Sequence, residues 1–127
     1  MKTLMIDFDG VLASYDGNFR ADILGRPHPG ALEAVRNYIE AGFRIVVYTT
    51  RAKDREGMLR IRDWLALNGF DALAGGDPIY VTAFKVPAVA YIDDRGWRFS
   101  GSWPSAAELD AFRPWWDKHD ESAAAHP

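Results

Sequence analysis

Cysteine is absent from the 127-residue sequence. Its absence excludes disulfides, thiolate metal sites and cysteine nucleophiles. Long apolar runs are also missing, because the N-terminal stretch already meets a charge at Lys2 and ends at Asp7. Such a stretch is too short for a signal peptide or a membrane span. We therefore expect a cytoplasmic protein that has no membrane partner, and a reducing compartment suits a chain without disulfides.

A strong charge of either sign is missing as well, since the formal net charge at pH 7 is -3. This value gives no electrostatic case for a nucleic-acid-binding surface, so nucleic acid is expected only as a substrate. The 48% hydrophobic and 26% charged residues are ordinary for a globular protein, and the length fits one domain. We expect this domain at residues 1–119 and a disordered, alanine-rich tail at 120–127.

Short apolar runs predict the strands of a sheet. Three of them, at residues 3–6, 44–48 and 88–92, are continuous rather than alternating. Continuous runs are typical of parallel strands that are covered on both faces. A weaker strand is predicted at residues 79–81 and an edge strand at 97–99.

Helical patterns separate these strands. The first helix begins near Pro29 and ends at Gly42, and the second is capped by Asp54. Ser105 begins a third helix with a capping-box sequence, and Pro114 is expected to kink or divide it. The alternation of strands and helices predicts an α/β domain with a parallel sheet and right-handed crossovers.

Polar residues follow each of the main strands. They are Asp7 and Asp9 after the first strand, Thr49, Thr50 and Arg51 after the second, and Asp93 and Asp94 after the third, with Lys85 in the loop that leads to the third. Ligands of open parallel sheets bind at the carboxyl ends of the strands. We therefore expect these side chains to converge at one end of the sheet.

The two acidic pairs are the most informative of these residues. A single aspartate after a strand is usually a turn or cap residue. Two pairs at one sheet end would repel each other unless a cation lay between them. Oxygen ligands select a hard cation such as Mg²⁺. Lys85 would add a positive charge, and the Thr49 hydroxyl can donate to phosphate oxygens, so the pattern predicts a magnesium and phosphate site.

The order of these motifs resembles that of the haloacid dehalogenase (HAD) superfamily of phosphohydrolases. Its first motif, a strand followed by Asp-x-Asp-Gly, is matched by residues 6–12, and its second, a strand ending in Thr or Ser, by 46–49. Its lysine motif is matched by Lys85 and its final acidic pair by residues 91–95. The resemblance covers residues 3–99. It implies a Rossmann-like three-layer α/β/α sandwich with a mainly parallel central sheet.

The resemblance also implies the chemistry, which is Mg²⁺-dependent hydrolysis of phosphoric monoesters. Asp7 would attack phosphorus and form an aspartyl-phosphate. Asp9 would protonate the leaving oxygen and then activate the hydrolytic water. Thr49 and Lys85 would hold the transferring phosphoryl group.

The same resemblance implies the ligands of the metal ion. Mg²⁺ would be bound by the Asp7 side chain, the Asp9 backbone carbonyl and the acidic pair Asp93 and Asp94. In the superfamily the acid just past the strand end usually makes the direct contact, which favours Asp94. The sequence alone leaves the choice between the two open.

Many members of the superfamily carry a cap domain, for which this sequence has no room. Residues 13–28 are long enough for a flap only, and 69–84 are also few. We therefore expect a capless, open site, with Thr50 and an exposed Arg51 assigned to substrate binding. The sequence does not distinguish between sugar phosphates, nucleotides, nucleic-acid ends and phosphoproteins as substrates. The oligomeric state is equally open, and the five tryptophans are expected in the core or on a dimer surface.

Three alternatives share part of this pattern. A phosphoryl-accepting receiver domain also combines acids, threonine and lysine, but its acceptor follows a middle strand, so the residue order argues against it. A binding protein of the same fold without turnover would keep the metal site. An enzyme that transfers the phosphoryl group to an alcohol would keep the chemistry and change the acceptor.

Overall fold

A parallel sheet organises the chain. The computed structural model describes residues 1–75 and 78–117. The strands are β1 (Thr3–Asp7), β2 (Arg44–Tyr48), β3 (Tyr80–Thr82) and β4 (Ala90–Ile92). They lie in the order β3-β2-β1-β4, and each neighbouring pair is parallel. The α/β fold with a parallel sheet, predicted from the apolar runs, is confirmed.

Over the residues that the structure describes, three helices lie in the connections from β1 to β2 and from β2 to β3, and a fourth follows β4. They are α1 (Ala31–Glu40), α2 (Arg55–Leu67), the short α3 (Phe70–Leu73) and α4 (Ala106–Ala111), with a 3-10 turn at Thr50–Lys53. The Asp54 side chain caps α2 by accepting from the Gly57 N–H at 2.8 Å, as the sequence predicts. Ser105 and Glu108 form the predicted capping box of α4. Among the helices at residues 1–75 and 78–117, none combines the length and apolar character that a membrane crossing requires.

One face of the sheet carries the hydrophobic core. Leu4 and Ile6 of β1 lie beside Ile45 and Val47 of β2, and all four are buried. The helices complete this core with buried side chains from α1, α2 and α3, namely Ala31, Val35, Ile61, Trp64, Leu65 and Phe70. Side chains alternate along a strand, so these four residues point to one face of the sheet. The three helices pack against them and thus cover that face.

The opposite face is crossed by the segment that joins β3 to β4, residues 83–89, and is only partly covered, since Tyr80 and Tyr91 on this face are 62% and 43% exposed. A right-handed connection between these strands must cross this face, because β4 lies on the far side of β1. The Val86 N–H donates to Met5 Sδ at 3.3 Å, and the Tyr91 hydroxyl donates to the Val86 carbonyl at 2.8 Å. Met5 is buried beneath this segment, and the hydrogen bonds with Met5 and Tyr91 fix Val86 to the sheet.

Two predicted elements differ in the structure. Residues 97–99 form no strand, and the Trp97 ring instead packs against Phe112 with centroids 6.3 Å apart. The last predicted helix does not pass through Pro114, because α4 ends at Ala111 and Phe112 is extended. Proline disfavours helical backbone in the residue before it, here Arg113, so a helix has to end ahead of that position. The predicted tail at 120–127 lies outside the described residues.

Candidate active site

The acidic residues converge at the carboxyl end of the sheet. Asp7 ends β1, while Asp93 and Asp94 follow β4, and the two strands are paired through Ile6 and Ile92. One carboxylate oxygen from each of the three aspartates lies within 4.8 Å of the others. Oxygens bound to one Mg²⁺ at about 2.1 Å lie about 3–4 Å apart. Small side-chain movements would therefore let the three carboxylates share one ion, and the donor set fits a hard cation.

Asp7 is the most perturbed acid of this cluster. Burial raises the pKa of Asp7 from 3.8 to about 8, and the hydrogen bond with Asp94 and the charges of Asp93 and Asp94 act in the same direction. The Phe8 N–H, which donates to Asp7 Oδ1 at 2.8 Å, acts in the opposite direction. At neutral pH and without a cation, the Asp7 carboxyl therefore holds a proton that a bound metal ion would displace.

The raised pKa of Asp7 makes metal binding depend on pH. We expect the affinity for Mg²⁺ to increase as the pH rises towards 8, by up to about tenfold per pH unit, because a bound carboxylate must lose its proton. Calorimetric titration between about pH 6 and pH 9, in buffers of different ionisation enthalpy, measures both the affinity and the proton release. An affinity that is constant below pH 8, with no proton released, would contradict this expectation.

Thr49 follows β2 beside the acidic cluster, since its neighbour Tyr48 is paired with Asp7. Its buried hydroxyl accepts from the Arg51 N–H at 3.2 Å and so caps the 3-10 turn. A hydroxyl that accepts one hydrogen bond still has its own proton to donate. Thr49 and the exposed Thr50 line a cavity of about 250 Å³ that also contains Asp7, Asp9, Asp93 and Asp94. The structure thus brings both threonines to the predicted site.

Lys85 lies at the border of the site. It lines a second cavity, of about 490 Å³, together with Asp7 and Asp93. Its ammonium nitrogen lies 4.7 Å from the centre of the Tyr91 ring. Within the described part of the chain it forms no ion pair with an acid of the cluster. A charge held by an aromatic ring beside the cavity can still reach a phosphate there, so the role of Lys85 stays a prediction.

Asp9 lies beside the cluster, but its carboxylate is paired with the guanidinium of Arg51. Arg51 donates from Nε to Asp9 Oδ2 at 2.7 Å and from Nη2 to Asp9 Oδ1 at 3.1 Å. This bidentate ion pair occupies both carboxylate oxygens of Asp9, the predicted general acid and base. The Asp9 carboxylate is therefore not one of the three that lie within 4.8 Å of one another, and the metal contact of its backbone carbonyl stays a prediction.

The prediction that Arg51 is exposed is wrong, since its residue is only 7% exposed. Besides pairing with Asp9, its guanidinium donates to the carbonyls of Arg20 at 2.9 Å and Ala21 at 3.4 Å. The Phe19 ring lies 4.5 Å from its central carbon. A buried guanidinium needs such partners, and this one finds them in the flap. Arg51 therefore ties the flap to Asp9. In this arrangement its guanidinium has no free N–H with which to bind a substrate, as the predicted role would require.

Two tryptophans belong to the site, although the sequence pattern did not place them there. Trp116 Nε1 donates to Asp94 Oδ2 at 2.5 Å, and Trp115 Nε1 donates to the Gly10 carbonyl at 2.7 Å. Of the five tryptophans, Trp64 lies in the core as expected, whereas Trp103 is 86% exposed. The adjacent tryptophans follow a proline rather than a periodic pattern, so no spacing signal could have identified them.

The fold and the site define a parallel α/β protein with clustered carboxylates at the sheet end. No protein-family model and no curated protein matches this chain. Among solved structures, a conserved protein from Bacteroides thetaiotaomicron is similar, with a TM-score of 0.55 and 20% sequence identity. The match covers 95% of this chain and 91% of that protein. Likeness at this identity supports the shared α/β fold alone.

Proposed function

We propose that this protein is a Mg²⁺-dependent phosphatase that hydrolyses phosphoric monoesters through an aspartyl-phosphate on Asp7. The observation that supports this most directly is the convergence of Asp7, Asp93 and Asp94 to within 4.8 Å. They lie at the sheet end where ligands of parallel α/β proteins bind, and the buried Thr49 lies in the same cavity. The proposal agrees with the HAD-like order of the motifs.

Asp7 would act as the nucleophile. The Phe8 N–H holds its Oδ1, which fixes the carboxylate at the end of β1 and leaves Oδ2 for attack on phosphorus. The P–O bond to the alcohol breaks as the bond to Asp7 forms, and water later releases inorganic phosphate and restores the carboxylate. A Mg²⁺ held by Asp7, Asp93 and Asp94 would offset the repulsion between these carboxylates and the phosphate. Thr49 would donate its hydroxyl proton to a phosphoryl oxygen.

Asp9 would supply the proton that the leaving oxygen needs. Since both of its oxygens accept hydrogen bonds from Arg51, it would first give up one of these bonds and take up a proton from solvent. It would pass this proton to the leaving oxygen and regain one from the hydrolytic water that cleaves the aspartyl-phosphate. The same guanidinium donates to flap carbonyls, so a movement of the flap would be coupled to the release of Asp9. We therefore propose that the pair of Asp9 and Arg51 is a resting arrangement that a bound substrate opens.

The proposal is tested by a screen for phosphate release from four substrate classes: sugar phosphates, nucleotides, phosphorylated nucleic-acid ends and phosphopeptides. We expect hydrolysis of at least one class with Mg²⁺, its loss in EDTA and its return when Mg²⁺ is added in excess. Full activity in the chelator would exclude the metal role. Tight Mg²⁺ binding without hydrolysis of any class would instead favour a binding protein of the same fold.

A further inference from the structure

The pair Trp115 and Trp116 closes over the loop that follows β1. Trp116 Nε1 lies 2.5 Å from Asp94 Oδ2, and Trp115 Nε1 lies 2.7 Å from the carbonyl oxygen of Gly10. The Trp115 ring also packs edge-on against His28, with centroids 5.2 Å apart. The C-terminal segment is thus bound both to a predicted metal ligand and to the motif that carries the nucleophile.

Gly10 makes the approach of Trp116 to Asp94 possible. Its φ is +81°, a left-handed conformation that side chains rarely adopt. A Cβ atom at this position would lie 2.5 Å from Asp94 Oδ2 and 2.7 Å from Trp116 Nε1. The glycine of the Asp-x-Asp-Gly motif therefore leaves the space in which the indole meets the carboxylate.

Further contacts hold the Trp116 indole in place. The Tyr15 ring meets it edge-on at 5.0 Å and 85°, and the Arg95 guanidinium lies 5.3 Å from its centre. A Cβ on Gly17 would lie 2.9 Å from its six-membered ring. The flap and the residue after Asp94 thus both pack on this ring. An indole held from these sides can present its N–H in a fixed direction.

We propose that Trp116 is a positioning residue for the metal ligand Asp94. Its N–H holds Oδ2 and thereby fixes the orientation of the carboxylate that lies beside Asp7 and Asp93, where the ion would bind. This inference rests on the proposed function, because it takes Asp94 as a ligand of Mg²⁺. Hydrogen bonds that orient a metal-binding side chain from outside are typically worth about 10–100-fold in metal affinity.

Trp116→Phe tests this role in the full chain, because it removes the N–H and keeps most of the ring. Calorimetric titration with Mg²⁺ alone should give a Kd about 10–100-fold higher than that of the wild type. Trp103→Phe is the matched control, since Trp103 is 86% exposed and its ring contacts Phe99 rather than a residue of the site. Its Kd should stay within about threefold of the wild-type value. Thermal unfolding establishes that both variants are folded.

A second measurement needs no variant. In the wild-type chain, the Nε1–H resonance of Trp116 should shift when Mg²⁺ is added, because its acceptor becomes a metal ligand. An unchanged resonance at saturating Mg²⁺ would overturn the inference, as would equal Kd values for the wild type and both variants. Tighter binding by Trp116→Phe would also overturn it, since the indole would then compete with the ion. A wild-type chain that binds no Mg²⁺ would instead refute the proposed metal site itself.

Discussion

Replacing Asp7 by asparagine is expected to reduce Mg²⁺-dependent phosphate release at least about a thousandfold. The amide has the shape of the carboxylate but is a poor nucleophile, so no phosphoryl intermediate forms. Asp63→Asn is the matched control, because Asp63 is exposed on α2 and the chemical change is identical. Its rate should equal that of the wild type. Hydrolysis by Asp7→Asn at a near wild-type rate would exclude Asp7 as the nucleophile.

The same substitution should stabilise the metal-free protein at high pH. The folded-state pKa of Asp7 is raised to about 8 from 3.8, so between these values the folded chain binds more protons than the unfolded chain. The contribution of Asp7 to the free energy of unfolding is therefore full below about pH 4 and is lost as the pH rises towards 8. In EDTA at about pH 8, Asp7→Asn should have a Tm a few degrees above the wild type, and near pH 4 the two should agree. A wild-type Tm below that of the variant at pH 4 as well would contradict this linkage.

Arg51→Ala is expected to destabilise the protein by about 3 kcal/mol, because it leaves a largely buried carboxylate without its partner. The side chains are 4% exposed in Arg51 and 20% in Asp9, and the partial exposure of Asp9 keeps the effect at the lower end of the usual range. The flap carbonyls of Arg20 and Ala21 lose a donor at the same time. For a chain of this length the Tm should fall by roughly 10 °C.

Thermal unfolding and limited proteolysis of the flap measure these effects together. Arg36→Ala on α1 is the matched control, since Arg36 is exposed and its loss should change stability by no more than about 0.5 kcal/mol. The stability of Arg51→Lys should lie between that of Arg51→Ala and that of the wild type, because an ammonium keeps the charge but cannot form the bidentate hydrogen bonds. If Arg51→Ala unfolded within about 2 °C of the wild type, Arg51 would not be the anchor of the flap.

The acidic cluster could be predicted because it depends on topology. Asp7 and Asp94 each end or follow a strand, and parallel strands that are neighbours bring such residues together whatever the loops do. Capping residues such as Asp54 could also be predicted, since a cap depends on a few adjacent residues. The four-residue helix α3 was missed because it is too short for a helical period to be detected.

The contacts that control the acids could not be predicted in the same way. Arg51 meets Asp9 across 42 positions of sequence, and its guanidinium is also held by carbonyls of a flap that has no helix or strand to fix its path. Trp115 reaches Gly10 across 105 positions. Both contacts depend on how irregular segments pack, and hydrophobic periodicity contains no information about such packing. An exposed Arg51 was the natural expectation for a residue just past a strand end.

The position of Trp115 and Trp116 has a practical consequence for handling the protein. A bulky group attached at Asp117 would follow directly after Trp116 and Trp115, which contact Asp94 and Gly10. Met1, in contrast, is 90% exposed and precedes the start of β1, while Asp7 is at the end of that strand. At about 3.3 Å per residue, it lies roughly 20 Å from the carboxylates. A spectroscopic probe placed at Met1 therefore stays clear of the carboxylates, whereas one placed at Asp117 would not.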